Sequence, residues 1–293
     1  MTLNGKPALI MNKINVLGIQ IDDLLHAHVL EKVREFLNSG KQHIIATPNP
    51  EFVLQAQGDK EFREILNKAD LAVPDGFGLI LASWFLGRPL KQRITGVDLM
   101  QEICKIAAET GKSVFLLGAG EGVGERVAAV LQKQFLKLKV VGAEWGGMIK
   151  IANRKPACRH GRPQIANLSM QKTRPNVGDM RSPADFACQD VELLKIIQQA
   201  APDILFVALG HPKQEKWIAA HLKELPSVKL AMGVGGAFDY ISGVVPRAPQ
   251  WMRGCGLEWL FRLIYEPRRI GRIFRAVVVF PWMVFVKKLA AKS

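Results

Sequence analysis

Short apolar runs alternate along the chain with longer segments in which apolar residues recur at helical spacing. The runs HIIAT, LAVPDG, SVFLLGAG, DILFVALG and KLAM are typical of strands. Segments with helical periodicity follow most of them: PEFVLQAQGDKEFREILNKA, GVDLMQEICKIAAETG, EGVGERVAAVLQKQF and PKQEKWIAAHLKEL. Because strands and helices alternate, the pattern predicts an α/β fold, with a parallel sheet covered by helices.

Five polar, glycine-rich or proline-rich loops follow the predicted strands. They are ATPNPEF, PDGFG, GAGEGVG, GHPKQE and GVGGAFD. Ligands of parallel sheets bind in such loops, at the carboxyl ends of the strands. Any one loop has a purely structural interpretation, since Thr47 or Asn49 can cap a helix and Asp75 can cap a turn before glycine. Five together favour a binding site.

The loop GAGEGVG resembles the dinucleotide fingerprint G-x-G-x-x-G, but Val123 stands where the third glycine would be. A looser phosphate site that includes Gly118 and Gly120 stays open, because backbone N–H groups at the start of a helix attract anions. A P-loop is excluded, since no G-K-[ST] ends the loop.

We predict no metal site and no cofactor. His26 and His28 would point to different faces of a helix, and Cys158 with His160 lacks a second pair of ligands. The four cysteines form no C-x-x-C pair, and no signal peptide is evident. We therefore expect a reduced, cytosolic chain without a disulfide framework.

The net charge of +14 is concentrated in two segments. Arg247–Ser293 carries ten Lys/Arg against two Glu, and Ile149–Asp190 carries eight Lys/Arg against three Asp. Apolar side chains lie between the C-terminal arginines: Trp251, Trp259, Phe261, Ile264, Phe274, Trp282 and Phe285. This mixture favours an anionic membrane surface as partner over nucleic acid, for which no recognition motif is evident. The most apolar stretch, Ala276–Val286, is shorter than the roughly 20 residues that span a bilayer.

Seven blocks resemble the WecG/TagA/CpsF glycosyltransferases, glycosyltransferase family 26, in order and context. They are TPNPEF, VPDGFG, QRITGVDL, GHPKQEKWI, GVGGAFDYISG, RAPQWM and GLEWLFRLIYEPRRIGR. The resemblance runs from about Asn15 to Arg275, excluding Ile149–Asp190. It implies a Rossmann-like α/β body with a C-terminal, membrane-associated helical appendage. It also implies transfer of N-acetylmannosamine or a related hexose from a UDP-sugar to a polyprenyl-diphosphate-linked sugar, in cell-surface polysaccharide or teichoic acid synthesis.

The resemblance assigns roles to individual residues. Asp75 falls on the family's proposed general base, with Thr47 and Asn49 on the polar positions beside it. The other matches are Arg93 of RITG, Gln214 of PKQE, Asp239 on the nucleotide side, and the appendage arginines Arg262, Arg269 and Arg272. One departure is Gly146 to Met148, which stands where the family has an aromatic turn.

Transfer of a sugar with inversion needs one carboxylate to take the proton of the attacking hydroxyl, and Asp75 suits this role. The departing diphosphate needs positive charge. The sequence has no D-x-D pair for a divalent metal, so arginine is the predicted source. Arg262, Arg269 and Arg272 would share one face of a continuous helix, although Pro267 interrupts it.

We expect a catalytic domain over residues 1–246 and a membrane-associated appendage over 247–293. Ile149–Asp190 is predicted to be a flexible insertion outside the catalytic core. Removal of Tyr265–Ser293 is expected to leave a folded body. The predicted location is cytoplasmic, peripherally attached to the inner face of the plasma membrane, with a homo-oligomer left open.

Two alternatives stay open on the sequence alone. A nucleotide-cofactor oxidoreductase would explain the glycine loops, but it needs the third glycine and an acidic ribose-binding residue. A non-catalytic membrane-binding protein would explain the basic C-terminal segment. It would not explain Asp75, Arg93 and Gln214.

Overall fold

Eight strands lie within residues 12–145 and 183–290, which the computed structural model describes. They are β1 (Lys13–Val16), β2 (Ile19–Asp22), β3 (His43–Ala46), β4 (Leu71–Ala72), β5 (Ser113–Gly118), β6 (Lys139–Glu144), β7 (Ile204–Ala208) and β8 (Leu230–Gly233). Strands β1 and β2 form an antiparallel hairpin. The other six form a parallel sheet in the order β4-β3-β8-β7-β5-β6. The predicted α/β fold with a parallel sheet is confirmed.

Helices connect the strands and form the C-terminal segment. They are α1 (His26–Asn38), α2 (Pro50–Gly58), α3 (Lys60–Lys68), α4 (Phe77–Phe85), α5 (Gly96–Thr110), α6 (Val123–Gln134), α7 (Pro183–Ala200), α8 (Lys213–His221), α9 (Ala237–Ile241), α10 (Gln250–Gly254), α11 (Glu258–Tyr265), α12 (Ile270–Phe274) and α13 (Phe280–Ala290). The insertion predicted over 149–190 lies outside the described residues, except for the backbone at the start of α7.

Local sequence signals explain where individual helices begin and end. Thr95 caps α5 by accepting a hydrogen bond from the Asp98 N–H, and Gly111 ends it with a φ of 72°. One prediction was wrong, because the helix expected over residues 50–69 is the two helices α2 and α3. The Asp59 side chain accepts the Phe62 N–H at 3.0 Å, so it caps a second helix instead of continuing the first.

Apolar side chains fill both faces of the sheet. Helices α1, α5, α6 and α9 cover one face, and α7 and α8 cover the other. A further cluster joins the β1–β2 hairpin to α2, α3 and α4. Covered on both faces, the central strands are almost wholly apolar, which is typical of a parallel sheet.

The C-terminal segment packs into this further cluster. Phe280 is fully buried and Val284 is almost so, among side chains of α2 and α4. The burial of Phe280 argues against the expectation that removal of Tyr265–Ser293 leaves a folded body. Deletion would leave a cavity in place of the Phe280 side chain, and loss of a buried phenylalanine side chain typically costs about 3–5 kcal/mol of stability.

Pro267 interrupts the C-terminal segment as predicted. Helix α11 ends at Tyr265, and a 3-10 turn over Pro267–Arg269 leads into α12. Among the residues that the structure describes, no helix has both the length and the apolar character needed to cross a bilayer.

Candidate active site

A cavity of about 590 Å³ opens at the carboxyl ends of the parallel strands. The loops after β3, β4, β5, β7 and β8 line it, and the α11–α12 region closes one side. Nine of the eleven residues that the sequence points to line this cavity: Thr47, Asn49, Asp75, Gly120, Gln214, Asp239, Arg262, Arg269 and Arg272. The tertiary structure thus brings together residues from both ends of the chain.

Asp75 lies in the loop after β4, where its backbone N–H donates to the Pro48 carbonyl at 2.8 Å. Its Oδ2 accepts a hydrogen bond of 3.0 Å from the Gly96 N–H, at the start of α5. Burial raises the pKa of Asp75 to about 6, against the lowering effect of the Gly96 hydrogen bond. Nearby Glu258 raises this pKa further, and Arg262 lowers it. Asp75 is therefore a stronger base than an exposed aspartate.

Thr47 and Asn49 flank Asp75 in different ways. A Cβ on Gly96 would lie 3.4 Å from both Thr47 Oγ1 and Asp75 Oδ2, so the glycine keeps this corner open. Asn49 Oδ1 accepts the Phe52 N–H at 3.0 Å and caps α2. The structural interpretation of Asn49 as a helix cap is correct, although the residue also lines the cavity.

Gln214 is buried and ties two cavity loops together. Its Oε1 accepts hydrogen bonds from the Gly210 N–H at 3.1 Å and the Gly235 N–H at 3.0 Å. Its Nε2 donates to Glu215 Oε1 at 2.7 Å. These bonds occupy most of the hydrogen-bonding capacity of the amide. Gln214 therefore holds the loops after β7 and β8 together.

Three guanidinium groups from the C-terminal segment line the cavity. Arg272 Nε and Nη2 donate to Glu51 Oε2 at 2.8 and 2.6 Å. Arg269 Nε donates to Glu266 Oε1 at 3.0 Å. The third guanidinium, Arg262, lies over the Tyr240 ring, with 5.0 Å between Cζ and the ring centroid. Two of the three guanidinium groups are thus paired with carboxylates, and all three lie on the wall formed by α11, the Pro267–Arg269 turn and α12.

Asp239, from α9, lies at the same wall. Burial raises the pKa of Asp239, and the nearby charge of Arg269 lowers it. Asp239 and the arginines thus line the same side of the cavity.

His211 and Glu51 are cavity residues that sequence reasoning missed. Burial lowers the pKa of His211. The negative charge of Glu51 raises this pKa, and the positive charge of Arg272 lowers it. The His211 ring also packs on Phe52, with 4.8 Å between the centroids. Both residues lie in blocks that resemble the family, GHPKQEKWI and TPNPEF. Their position beside Gln214 and Asn49 was the signal that could have identified them.

Arg93 and Gly118 do not line the cavity. Arg93 Nη1 lies 2.9 Å from Glu258 Oε2, so Arg93 fastens α11 to the loop before α5. Gly118 has a φ of 109°, and a Cβ there would lie 2.6 Å from the Ala208 carbonyl carbon. Its glycine character reflects the close approach of two strand ends.

A third ion pair, between Arg247 and Asp98, also joins the C-terminal segment to the body. Arg247 Nη1 and Nη2 donate to the two carboxylate oxygens of Asp98 at 2.6 and 2.8 Å. This bidentate geometry is the strong form of an arginine–carboxylate contact. It holds the start of the C-terminal segment on the first turn of α5.

The cavity holds a basic carboxylate and three guanidinium groups, which together suit removal of a hydroxyl proton and stabilisation of an anionic leaving group. Within residues 12–145 and 191–290, no three His, Cys, Asp or Glu side chains are grouped as metal ligands would be.

Comparison with known proteins agrees with this chemistry. The family model described as "Glycosyl transferase WecG/TagA/CpsF family" matches residues 14–293. The N-acetylglucosaminyldiphosphoundecaprenol N-acetyl-beta-D-mannosaminyltransferase of Staphylococcus aureus strain MRSA252 is 30% identical over 283 residues, covering 96% of this chain and 95% of the relative. The protein of the same name from strain COL is 29% identical with the same coverage. The chain is an enzyme, and neither the oxidoreductase nor the non-catalytic alternative is supported. It belongs to the WecG/TagA/CpsF family of glycosyltransferases.

Proposed function

We propose that this enzyme moves N-acetylmannosamine or a closely related N-acetylhexosamine from a UDP-sugar to a polyprenyl-diphosphate-linked sugar, with inversion at the anomeric carbon. The observation that supports the proposal is that Asp75 and three arginines, Arg262, Arg269 and Arg272, line one cavity. The relatives' names supply the sugar and the acceptor class.

Asp75 is the proposed general base. Its carboxylate takes the proton of the acceptor hydroxyl while that oxygen attacks the anomeric carbon from the face opposite the leaving group. The bond between the anomeric carbon and the UDP oxygen breaks, and UDP leaves with the bonding electron pair. A single carboxylate suffices, since the attack and the departure occur on opposite faces of one carbon.

Arg262, Arg269 and Arg272 are the proposed partners of the departing diphosphate. Guanidinium groups match phosphate oxygens in charge and in hydrogen-bond geometry. Charge placed in advance where the transition state becomes negative is the largest single source of rate in many enzymes. Residues 1–246 then form the catalytic domain, and 247–293 an appendage that completes its active site.

The enzyme is proposed to bind peripherally to the inner face of the plasma membrane. Trp251, Ile264 and Phe274 are exposed on the C-terminal segment. Their arginine-rich surroundings suit an interface with anionic lipid headgroups. This location brings the active site to an acceptor that is itself held in the membrane.

A release assay tests the proposed function. Purified enzyme is incubated with a polyprenyl-diphosphate-GlcNAc acceptor and a panel of UDP-N-acetylhexosamines, and free UDP is measured. We expect release that depends on the acceptor, fastest with UDP-N-acetylmannosamine. UDP release from none of the donors in the presence of acceptor would refute the proposal.

Activity is expected to survive an excess of EDTA. The cavity presents arginine charge to the diphosphate, and this charge needs no divalent cation. The same UDP-release assay is run with EDTA and after adding back Mg²⁺ or Mn²⁺. Full inhibition that either ion reverses would show that a cation takes part.

A further inference from the structure

Helix α4 carries an exposed apolar face that belongs to the body of the enzyme. Its nine residues, FGLILASWF, include no charged side chain. Leu79, Ala82 and Ser83 face the core, whereas Leu81 is 54% exposed, Trp84 75% and Phe85 41%. A contiguous group of exposed apolar side chains is typical of a binding surface, whereas apolar side chains exposed singly are common on any protein.

The same face continues onto α13. The rings of Phe85 and Phe285 lie 6.1 Å apart between centroids, and Trp282 stacks on Phe285 at 5.8 Å. Trp282 is 63% exposed. Lys288 joins the two helices, because its ammonium lies 4.1 Å from the Phe85 ring centroid and donates to the Phe85 carbonyl. We call Leu81, Trp84, Phe85, Trp282 and Phe285 the α4/α13 surface.

Helix α4 also begins at the active site. Phe77, its first residue, is two positions after Asp75. A Cβ on Gly256 would lie 2.5 Å from the Phe77 ring, so the C-terminal segment is packed tightly against this end of α4. At a rise of about 1.5 Å per residue, the first and last of these nine residues lie about 12 Å apart along the helix axis. One rigid element therefore connects the proposed base to the exposed apolar surface.

We propose that the α4/α13 surface inserts into the bilayer interface beside the acceptor lipid, and that α4 sets the distance from the bilayer to Asp75. The inference rests on the proposed function and deepens it. A lipid fits better than a protein partner because exposed basic residues follow the aromatic residues closely in the sequence, Arg88 three positions after Phe85 and Lys287 two after Phe285. Tryptophan and lysine side by side are typical of a membrane interface.

This arrangement explains how a membrane-held substrate reaches a buried carboxylate. The hydrocarbon chain stays in the bilayer at the Trp84 end of α4, and the diphosphate and sugar extend along the helix toward the Phe77 end. The acceptor hydroxyl then arrives at Asp75 in a defined position, which is the condition for efficient transfer.

The test is Trp84→Ser, with Leu136→Ser as the matched control. Leu136 is 91% exposed, lies after α6 and is remote from the α4/α13 surface in sequence. Each variant is assayed for sedimentation with phosphatidylglycerol/phosphatidylcholine vesicles. Transfer is measured with a long-chain polyprenyl acceptor in vesicles and with a short-chain, water-soluble analogue. Because Trp84 is mostly exposed, circular dichroism and Tm should match the wild type.

We expect Trp84→Ser to lose about tenfold in vesicle binding and in kcat/KM for the long-chain acceptor. Its kcat/KM for the short-chain analogue should be unchanged, and Leu136→Ser should match the wild type in every assay. Equal loss on both acceptors, or no loss on either, overturns the inference.

The remaining outcomes are also decisive. Sedimentation velocity measures the oligomeric state. If Trp84→Ser alters it while vesicle binding stays intact, the α4/α13 surface binds a second copy of the chain, and the inference fails. If the wild type transfers to neither acceptor, the proposed function fails instead. The vesicle arm, which needs no transfer, then still decides whether this surface binds lipid.

Discussion

Asp75→Asn is expected to lower kcat by about two to four orders of magnitude while UDP binding stays unchanged. Asparagine keeps an oxygen that can accept the Gly96 N–H, but it cannot take a proton from the acceptor hydroxyl. The measurements are UDP release at saturating substrates and UDP affinity by calorimetry. Unchanged turnover would reject Asp75 as the base and direct attention to Glu51 and His211.

The pH dependence provides a second test of the same residue. Burial raises the pKa of Asp75 to about 6, so wild-type kcat should fall as the pH drops through this value and the base becomes protonated. Asp75→Asn should lack this acidic limb. An identical limb in the variant would assign it to another group.

The stability of Asp75→Asn follows from the same shift. Because the folded-state pKa lies above the ordinary 3.8, the folded chain binds the proton more tightly than the unfolded chain. The stabilisation from this group is present below pH 3.8 and is lost as the pH rises through about 6. Asp75→Asn should therefore have at least the wild-type Tm at pH 7, which separates lost chemistry from lost folding.

The double variant Arg269→Ala/Arg272→Ala is expected to lower kcat by about two to three orders of magnitude, the scale seen when one preorganised donor to a developing anion is removed. Vesicle binding should weaken by only about 1 kcal/mol per charge. UDP release and vesicle sedimentation measure the two effects separately.

The matched control is Arg268→Ala/Arg275→Ala. These arginines are exposed in the same segment, carry the same charge and do not line the cavity. The control should lose the same membrane affinity and keep its kcat. If both double variants are equally active once bound to vesicles, Arg269 and Arg272 serve adsorption alone. Arg93, the next candidate on sequence grounds, is then a weak replacement because it does not line the cavity.

Point variants are the right tools here because the C-terminal segment cannot be cut away cleanly. Phe280 is a core side chain, packed with residues of α2 and α4. Deleting Tyr265–Ser293 would combine lost catalysis, lost membrane binding and lost stability in one result.

The sequence alone predicted the alternation of strands and helices, with five of the eight described strands (β3, β4, β5, β7 and β8), and much of the site. Its signals are local: periodicity, caps such as Thr95 and Gly111, and glycine-rich loops after strands. Since parallel strands all end at one edge of the sheet, loops far apart in the chain had to meet there. This is why the strand-and-loop pattern is enough to predict that Thr47, Asp75, Gln214 and Asp239 lie together.

Only the tertiary structure decided which side chains are paired or buried, because these properties depend on residues distant in the chain. The partner of Arg93 is Glu258, and the core that buries Phe280 is made by the first third of the sequence. Helix α4 is apolar on every side, so no periodicity could tell its buried face from its exposed one. Packing against the core and α13 made that choice, and it left Leu81, Trp84 and Phe85 exposed.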